Sequence, residues 1–319
     1  MKKDLGQLIT AMVTPFNKNL EVDYNMVEKL ANHLVENGSD GILVVGTTGE
    51  SPALTHEEKL DLFKAVKSAV GDRASVIAGT GHNNTRDTLK LTKEAEEIGV
   101  DAALVVCPYY NKPPQSGIYN HFKTVAESTS LPIIVYNIPG RTGVNITPET
   151  MGRLSKIPNI IADKEAAGKV DQCSQMVIAT GALSAFAKYR KLPVGVGARS
   201  EKTKCEKTFA VYSGDDSLIL PMMSVGAIGV VSVASHVAGK RMKEMITKFF
   251  EGDVSGALEL HVELMPVFKG LFTTSNPILV KSALKMIGLN VGGLRPPMPN
   301  ATPEQEKALE KVLKEVGVL

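Results

Sequence analysis

Cysteine is scarce in this chain: Cys107, Cys173 and Cys205 are its three, odd in number and far apart. They suggest neither a disulfide framework nor a zinc site. Charge of one sign is scarce too. A net charge of +2 is far from the basic excess of a dedicated nucleic-acid binder. No apolar run reaches the ~18 residues of a membrane-spanning helix. Met1-Lys2-Lys3-Asp4 runs into a strand-like segment without the apolar core or cleavage site of a signal peptide. The expectation is a cytoplasmic protein with free thiols and no membrane or nucleic-acid partner. The histidines (His33, His56, His82, His121, His236 and His261) are scattered without ligand spacing, so none is assigned to a metal. Low-complexity tracts and repeats are missing as well, apart from one alternation.

That alternation carries the fold. Short apolar runs rich in Val and Ile occupy residues 8–13, 41–45, 75–78, 102–107, 132–136, 160–164, 209–212 and 229–233. They mostly lack a period of two, as strands buried on both faces of a parallel sheet do. Amphipathic stretches fall between them. Residues 23–37 place Met26, Val27, Leu30, Leu34 and Val35 at near-helical spacing, and Thr55 with Glu58 fits a capping box opening the next helix. Eight strands alternating with helices predict a closed parallel (β/α)8 TIM barrel, with an open doubly wound sheet as the alternative. At 319 residues, 43% apolar and 22% charged, the chain can bury a core unaided. Residues 1–235 are assigned to the barrel. Residues 236–319 are assigned to its last helix and a C-terminal helical extension, interrupted by a Pro-rich break at 295–299.

In such barrels the reactive groups lie on the loops at the C-terminal ends of the strands. Polar residues just after strands are therefore the candidates: Gly46-Thr47-Thr48-Gly49-Glu50, Tyr109-Tyr110-Asn111, Tyr136-Asn137 with Arg141-Thr142, Lys164-Glu165, and Gly214-Asp215-Asp216. A charged lysine ending a buried strand is costly. Burial lowers its pKa, and the neutral amine can attack a carbonyl to form an imine; otherwise such a lysine snorkels to solvent. The Gly-Thr-Thr-Gly turn can offer N–H groups and hydroxyls to a small carboxylate, or be an ordinary connection. Without a Gly-Lys-Ser/Thr it is no Walker loop. Tyr136 can shuttle protons near an imine or simply pack. Arg141 can fork onto a carboxylate or lie idle at the surface. Tyr109-Tyr110 can equally be an aromatic packing step before Pro113-Pro114.

Taken in order, Gly-Thr-Thr-Gly-Glu, Tyr-Tyr-Asn-Lys-Pro, Tyr-Asn-Ile-Pro-Gly-Arg-Thr, Lys-Glu-Ala and Ser-Gly-Asp-Asp make a specific combination. By it the chain resembles the dihydrodipicolinate synthase / N-acetylneuraminate lyase family of pyruvate-dependent class I aldolases, from Leu8 to Leu319. The resemblance implies a Schiff-base lysine at Lys164, a proton-moving tyrosine at Tyr136, and relay partners at Thr47 and Tyr110. It implies that Thr48 holds the pyruvate carboxylate, that the Val231 carbonyl faces pyruvate, and that Gly214 is the small residue beneath it. Arg141 would bind the carboxylate of the second substrate. Tyr110 would be donated by the neighbouring subunit, so the implied active unit is a dimer, usually within a homotetramer. Thr47 and Arg141 favour the synthase branch over the sialic-acid lyases, which resemble Gly-Ser-Thr-Gly-Glu and lack the arginine. The implied reaction condenses pyruvate with L-aspartate-4-semialdehyde to 4-hydroxy-tetrahydrodipicolinate, towards lysine and diaminopimelate. No cofactor is implied, because the imine is the electron sink. Where lysine-inhibited members carry a histidine, this chain has Lys59, a like charge that repels lysine's ammonium, so weak or absent inhibition is expected; otherwise Lys59 is simply a solvated helix residue.

Two features depart from the family pattern. Between Lys164 and Gly214 the chain is roughly 25 residues longer, against the short αβ loops usual in barrels. The extra material lies at about 178–208 and is basic, with Lys188, Arg190, Lys191, Arg199, Lys202, Lys204 and Lys207 against Glu201 and Glu206. An αβ connection belongs to the face away from the chemistry, where length costs little. The other departure is Asp163, where the family has an apolar residue. With Lys164 inward, Asp163 faces the helix layer. A carboxylate buried there needs a partner, expected from the sixth helix or the basic insertion. Two competing functions are a retro-aldol lyase acting on a 2-keto-3-deoxy sugar acid and a non-catalytic pyruvate- or lysine-binding scaffold. The scaffold would have no need of a relay through Lys164, Tyr136, Thr47 and Tyr110.

Overall fold

The computed structural model describes residues 4–190 and 208–319. Eight parallel strands close into a barrel in sequence order: β1 Leu8–Ala11, β2 Gly41–Val44, β3 Ser75–Gly79, β4 Ala102–Val106, β5 Ile133–Asn137, β6 Ile160–Glu165, β7 Ala210–Ser213 and β8 Gly229–Ser232. Each falls within one or two residues of a predicted run. Along the strands, Ile9, Leu43, Ile77, Leu104, Ile134, Ala162 and Val231 point inward and form one buried cluster. Their neighbours Leu8, Ile42, Val76, Val105, Val135 and Val230 pack beneath the helices. Both faces of the strands are buried and mostly apolar, which is why no period of two shows in the sequence.

The helices are α1 Tyr24–Glu36, α2 His56–Val70, α3 Thr85–Ile98, α4 Gln115–Glu127, α5 Pro139–Thr142, α6 Pro148–Leu154, α7 Val170–Thr180, α8 Leu183–Tyr189, α9 Ile219–Ser224, α10 Ser235–Glu251, α11 Val254–Gly270, α12 Ile278–Met286 and α13 Pro303–Glu315. Asp23 caps α1, its carboxylate accepting from Met26 N at 3.0 Å. The capping box of Thr55 and Glu58 opens α2 as expected, satisfying two otherwise unpaired N–H groups. The tail is less continuously helical than the sequence suggested. It is interrupted at 271–277 and again over 287–302, a stretch rich in glycine and proline that cannot continue a helix, and the break at 295–299 is only part of the second interruption. No helix among the described residues is long and apolar enough to cross a membrane.

Of the basic stretch at about 178–208, the described part ends α7 and forms α8. Ala185 of α8 joins the interior cluster with Leu5 and Ile228, the residues leading into β1 and β8. Its neighbour Phe186 lies with its ring 5.1 Å from that of Phe250. This helix therefore covers the end of the barrel opposite the loops that follow the strands. Residues 191–207, with Lys191, Arg199, Lys202, Lys204 and Lys207, lie outside the described residues.

Candidate active site

Strand register builds the centre of the site. The parallel pairing of β5 with β6 sets Tyr136 beside Lys164, and that of β6 with β7 sets Lys164 beside Tyr212. Lys164 is only 6% exposed, so it does not snorkel. Its ammonium position lies 4.1 Å from the centre of the Tyr136 ring. Burial pushes the Lys164 amine down to about 7, with the Asp216 carboxylate opposing the shift and the Arg141 guanidinium adding to it. A large share is therefore the free amine at neutral pH, the form that attacks carbonyls. Burial raises the Tyr136 phenol to about 12, against the pull of Arg141 and of a hydrogen bond from Thr47. Tyr136 thus holds its proton at neutral pH and can hand it on.

The Gly-Thr-Thr-Gly-Glu loop follows β2 in a strained path. Val45 and Glu50 sit at φ +62° and +56°, a left-handed conformation that costs a β-branched residue most and persists where the surroundings hold it. Here the surroundings come from far away. Thr14 Oγ1 donates to Gly49 O at 2.6 Å. Lys281 Nζ lies 2.6 Å from Glu50 Oε1 with both side chains 2% exposed, and Arg295 N donates to Glu50 Oε2 at 3.0 Å. Asn276 Nδ2 donates to Thr48 Oγ1 at 2.9 Å. Asn276, Lys281 and Arg295 belong to the C-terminal extension and were not singled out from sequence. The available signal was a lysine in the apolar run Ile278-Leu-Val-Lys-Ser-Ala-Leu.

Gly214 follows β7 directly. A side-chain carbon there would lie 2.7 Å from Ala166 Cβ and 3.2 Å from Lys164 Cε, so only glycine leaves the lysine its place. Val231 points inward on β8, 2% exposed. Two residues on from Gly214, the carboxylate of Asp216 accepts from the backbone N–H of Val233 and Ala234 at 3.0 and 2.8 Å, tying the loop after β7 to the loop after β8. Burial raises its pKa to about 6, against those hydrogen bonds.

Asp163 faces the helix layer, as alternation along β6 demands, and is fully buried. The expected partner is not found: neither carboxylate oxygen has a hydrogen-bond partner among the described residues. Instead Glu165 takes the nearby donors, accepting from Asn137 Nδ2 and Gln172 Nε2 at 3.0 Å each and from Ala167 N at 2.6 Å. What α7 brings towards Asp163 is Cys173, whose thiol is pushed up by burial first and then by the charges of Asp163 and Glu165. Burial, with the Glu165 charge, pushes the Asp163 carboxyl well above the ordinary aspartate value.

Arg141, on the short helix α5, is exposed at the rim, yet its charge reaches both Tyr136 and Lys164. Tyr110 is a different matter. It is 88% exposed at φ +74°, so it is no packing tyrosine, and its phenol projects away from its own chain. The fold thus brings Thr47, Tyr136, Lys164 and Gly214 together, with Thr48 and Val231 on the same rim, and leaves Tyr110 outside.

The chain matches the dihydrodipicolinate synthetase family over residues 4–187 and 194–316. It is 49% identical over 319 residues to the 4-hydroxy-tetrahydrodipicolinate synthase of Desulforudis audaxviator, covering 100% of both chains. It is 52% identical over 315 residues to that of Heliobacterium modesticaldum, covering 99% of this chain and 97% of the relative. Among solved structures, a dihydrodipicolinate synthase from Bacillus anthracis superposes with a TM-score of 0.88 at 47% identity, over 98% of each chain. An enzyme of the same name from Cyanidioschyzon merolae, solved with lysine bound, gives 0.89 at 43% identity over 99% of each.

Proposed function

The chain belongs to the dihydrodipicolinate synthetase family, and on that premise we propose that it is a lyase that joins pyruvate to L-aspartate-4-semialdehyde, giving 4-hydroxy-tetrahydrodipicolinate on the route to diaminopimelate and lysine. The observation that carries this reading is the Lys164 amine, buried against Tyr136 and depressed to about 7. The neutral amine attacks C2 of pyruvate, and loss of water leaves an imine. Loss of a methyl proton gives an enamine, whose carbon adds to the aldehyde. The semialdehyde's own amine then attacks C2, closing the ring and freeing Lys164. Tyr136, protonated at neutral pH, supplies and recovers protons through Thr47. Thr48 holds the pyruvate carboxylate, the Val231 carbonyl faces the substrate, and Arg141 receives the carboxylate of the second substrate. An acceptor that carries a carboxylate is what a rim arginine favours over a sugar acid's polyol chain.

The next member of the relay is the partner subunit's Tyr110. The exposure and left-handed backbone of Tyr110 support a dimer in which each copy completes the other's site, paired further into a homotetramer. A cytoplasmic setting fits this biosynthetic chemistry. Lys59 lies on α2 one turn after His56, which pairs with Glu94 at 2.9 Å. An added cation there disfavours lysine as an inhibitor.

Incubation with pyruvate, reduction with borohydride and mass-spectrometric mapping of the digest tests the reading. The expected result is a single adduct on Lys164. Folded protein without an adduct would leave only the scaffold. Turnover with aspartate semialdehyde, compared with cleavage of 2-keto-3-deoxy sugar acids, separates the synthase from the retro-aldol lyase.

A further inference from the structure

We infer that Asn276, in the C-terminal extension, is a positioning residue for pyruvate: it fixes the Thr48 hydroxyl as a donor aimed into the barrel mouth. The inference rests on the reading that Thr48 holds the pyruvate carboxylate. A hydroxyl has one proton to give and two lone pairs to fill. With Asn276 Nδ2 donating to Thr48 Oγ1 at 2.9 Å, one lone pair is occupied by an N–H, and the hydroxyl proton must turn to another acceptor. A carboxylate is such an acceptor, and an ionised one makes the stronger bond. Both side chains are buried, Asn276 7% and Thr48 3% exposed, so the hydrogen bond between them is shielded from water. Asn276 Oδ1 has no partner among the described residues.

The extension holds the same loop rigidly at a second point. The buried Lys281–Glu50 pair at 2.6 Å and the Lys281 Nζ bond to Gly293 O at 2.7 Å anchor Glu50, two residues beyond Thr48. A hydroxyl on a fixed backbone, with its rotor set by Asn276, meets the carboxylate without reorganisation. The barrel alone supplies Thr48; the extension decides which way its proton points.

The test is steady-state kinetics of Asn276→Ala, Asn276→Asp, Thr48→Val and the Thr48→Val/Asn276→Ala double variant, with the pyruvate dependence of borohydride trapping as a readout independent of the second substrate. Asn276→Ala is expected to raise the KM for pyruvate and the half-saturating pyruvate in trapping by roughly 3- to 10-fold, the worth of one neutral hydrogen bond. The KM for the aldehyde should stay unchanged. Asn276→Asp keeps the shape but turns the donor into an acceptor that captures the Thr48 proton and repels the substrate. It should raise both pyruvate values by roughly 30- to 100-fold, and it remains informative if the alanine variant does not fold. In the Thr48→Val background, removal of the amide should add nothing. Additive effects would mean that Asn276 supports the fold without acting through the hydroxyl, and would overturn the inference. Thr48→Val weakening pyruvate binding while both Asn276 variants leave it intact would overturn the inference and spare the Thr48 assignment. An unchanged pyruvate KM in Thr48→Val would remove both.

Discussion

Replacing Asp163 by valine is expected to stabilise the protein. Its carboxyl is fully buried with no hydrogen-bond partner among the described residues. An unsatisfied buried polar group costs about 1–3 kcal/mol. Valine is close to aspartate in volume and suits a strand. At roughly 2.1 cal/mol/K per residue, the unfolding entropy of a 319-residue chain is about 0.7 kcal/mol/K, so the gain in Tm is about 1.5–4.5 °C. The pH dependence follows the same carboxyl. Its folded pKa lies well above the ordinary value because of burial, then Glu165. Between the unfolded and folded pKa values the folded state keeps a proton that the unfolded state has lost. The contribution is thus fully present below the ordinary aspartate pKa and is lost as pH rises through the folded one. Asp163→Asn removes the titration but keeps the buried polar group, so it should flatten the profile without raising Tm as valine does. Thermal melts of the three proteins from pH 4.5 to 8, at one protein concentration, measure both effects. Because Asp163 and Glu165 interact, the difference between curves is the quantity to compare. A lower Tm for Asp163→Val across this range would refute the reasoning, since it would mean the carboxylate has a partner.

Four further outcomes are expected. The rate of imine formation should rise with pH through about 7 and then level, since only the neutral Lys164 amine attacks. A rise centred near ~10, the ordinary lysine value, would contradict the effect of burial. Gly214→Ala, whose new carbon would press on Lys164 Cε and Ala166 Cβ, should cut kcat by roughly 10- to 100-fold through misplacement, with a native circular-dichroism spectrum. Tyr110→Phe and Lys164→Ala should each be severely impaired. Mixing their dissociated subunits should restore roughly a quarter of the sites, because a hybrid dimer has one complete site; no recovery in verified hybrids would argue against a shared site. Lysine should inhibit the native enzyme weakly, and Lys59→His should lower the inhibitory concentration in a turnover assay.

The sequence by itself determined the barrel and offered the candidates for its rim. Apolar runs at regular intervals need only local chemistry to be strands, and the capping box of Thr55 and Glu58 needs only a few neighbouring residues. Barrel geometry put Thr47, Tyr136, Lys164 and Gly214 among the candidates, because barrels place the ends of their strands on one rim; their roles came only from the resemblance that the ordered motifs carry. The tertiary structure alone decided how these residues act. Strand register sets the Tyr136 ring beside Lys164, and burial within the closed barrel, rather than the residue type, lowers the lysine's pKa. Asn276 meets Thr48 across 228 positions of chain, and the Lys281–Glu50 pair joins helix α12 to the loop after β2. No local period or spacing encodes such contacts, because an asparagine or lysine reads the same in sequence whether it meets solvent or a buried hydroxyl. The same holds for Asp163: alternation told which way it points, but only the packed structure gave the neighbouring donors to Glu165.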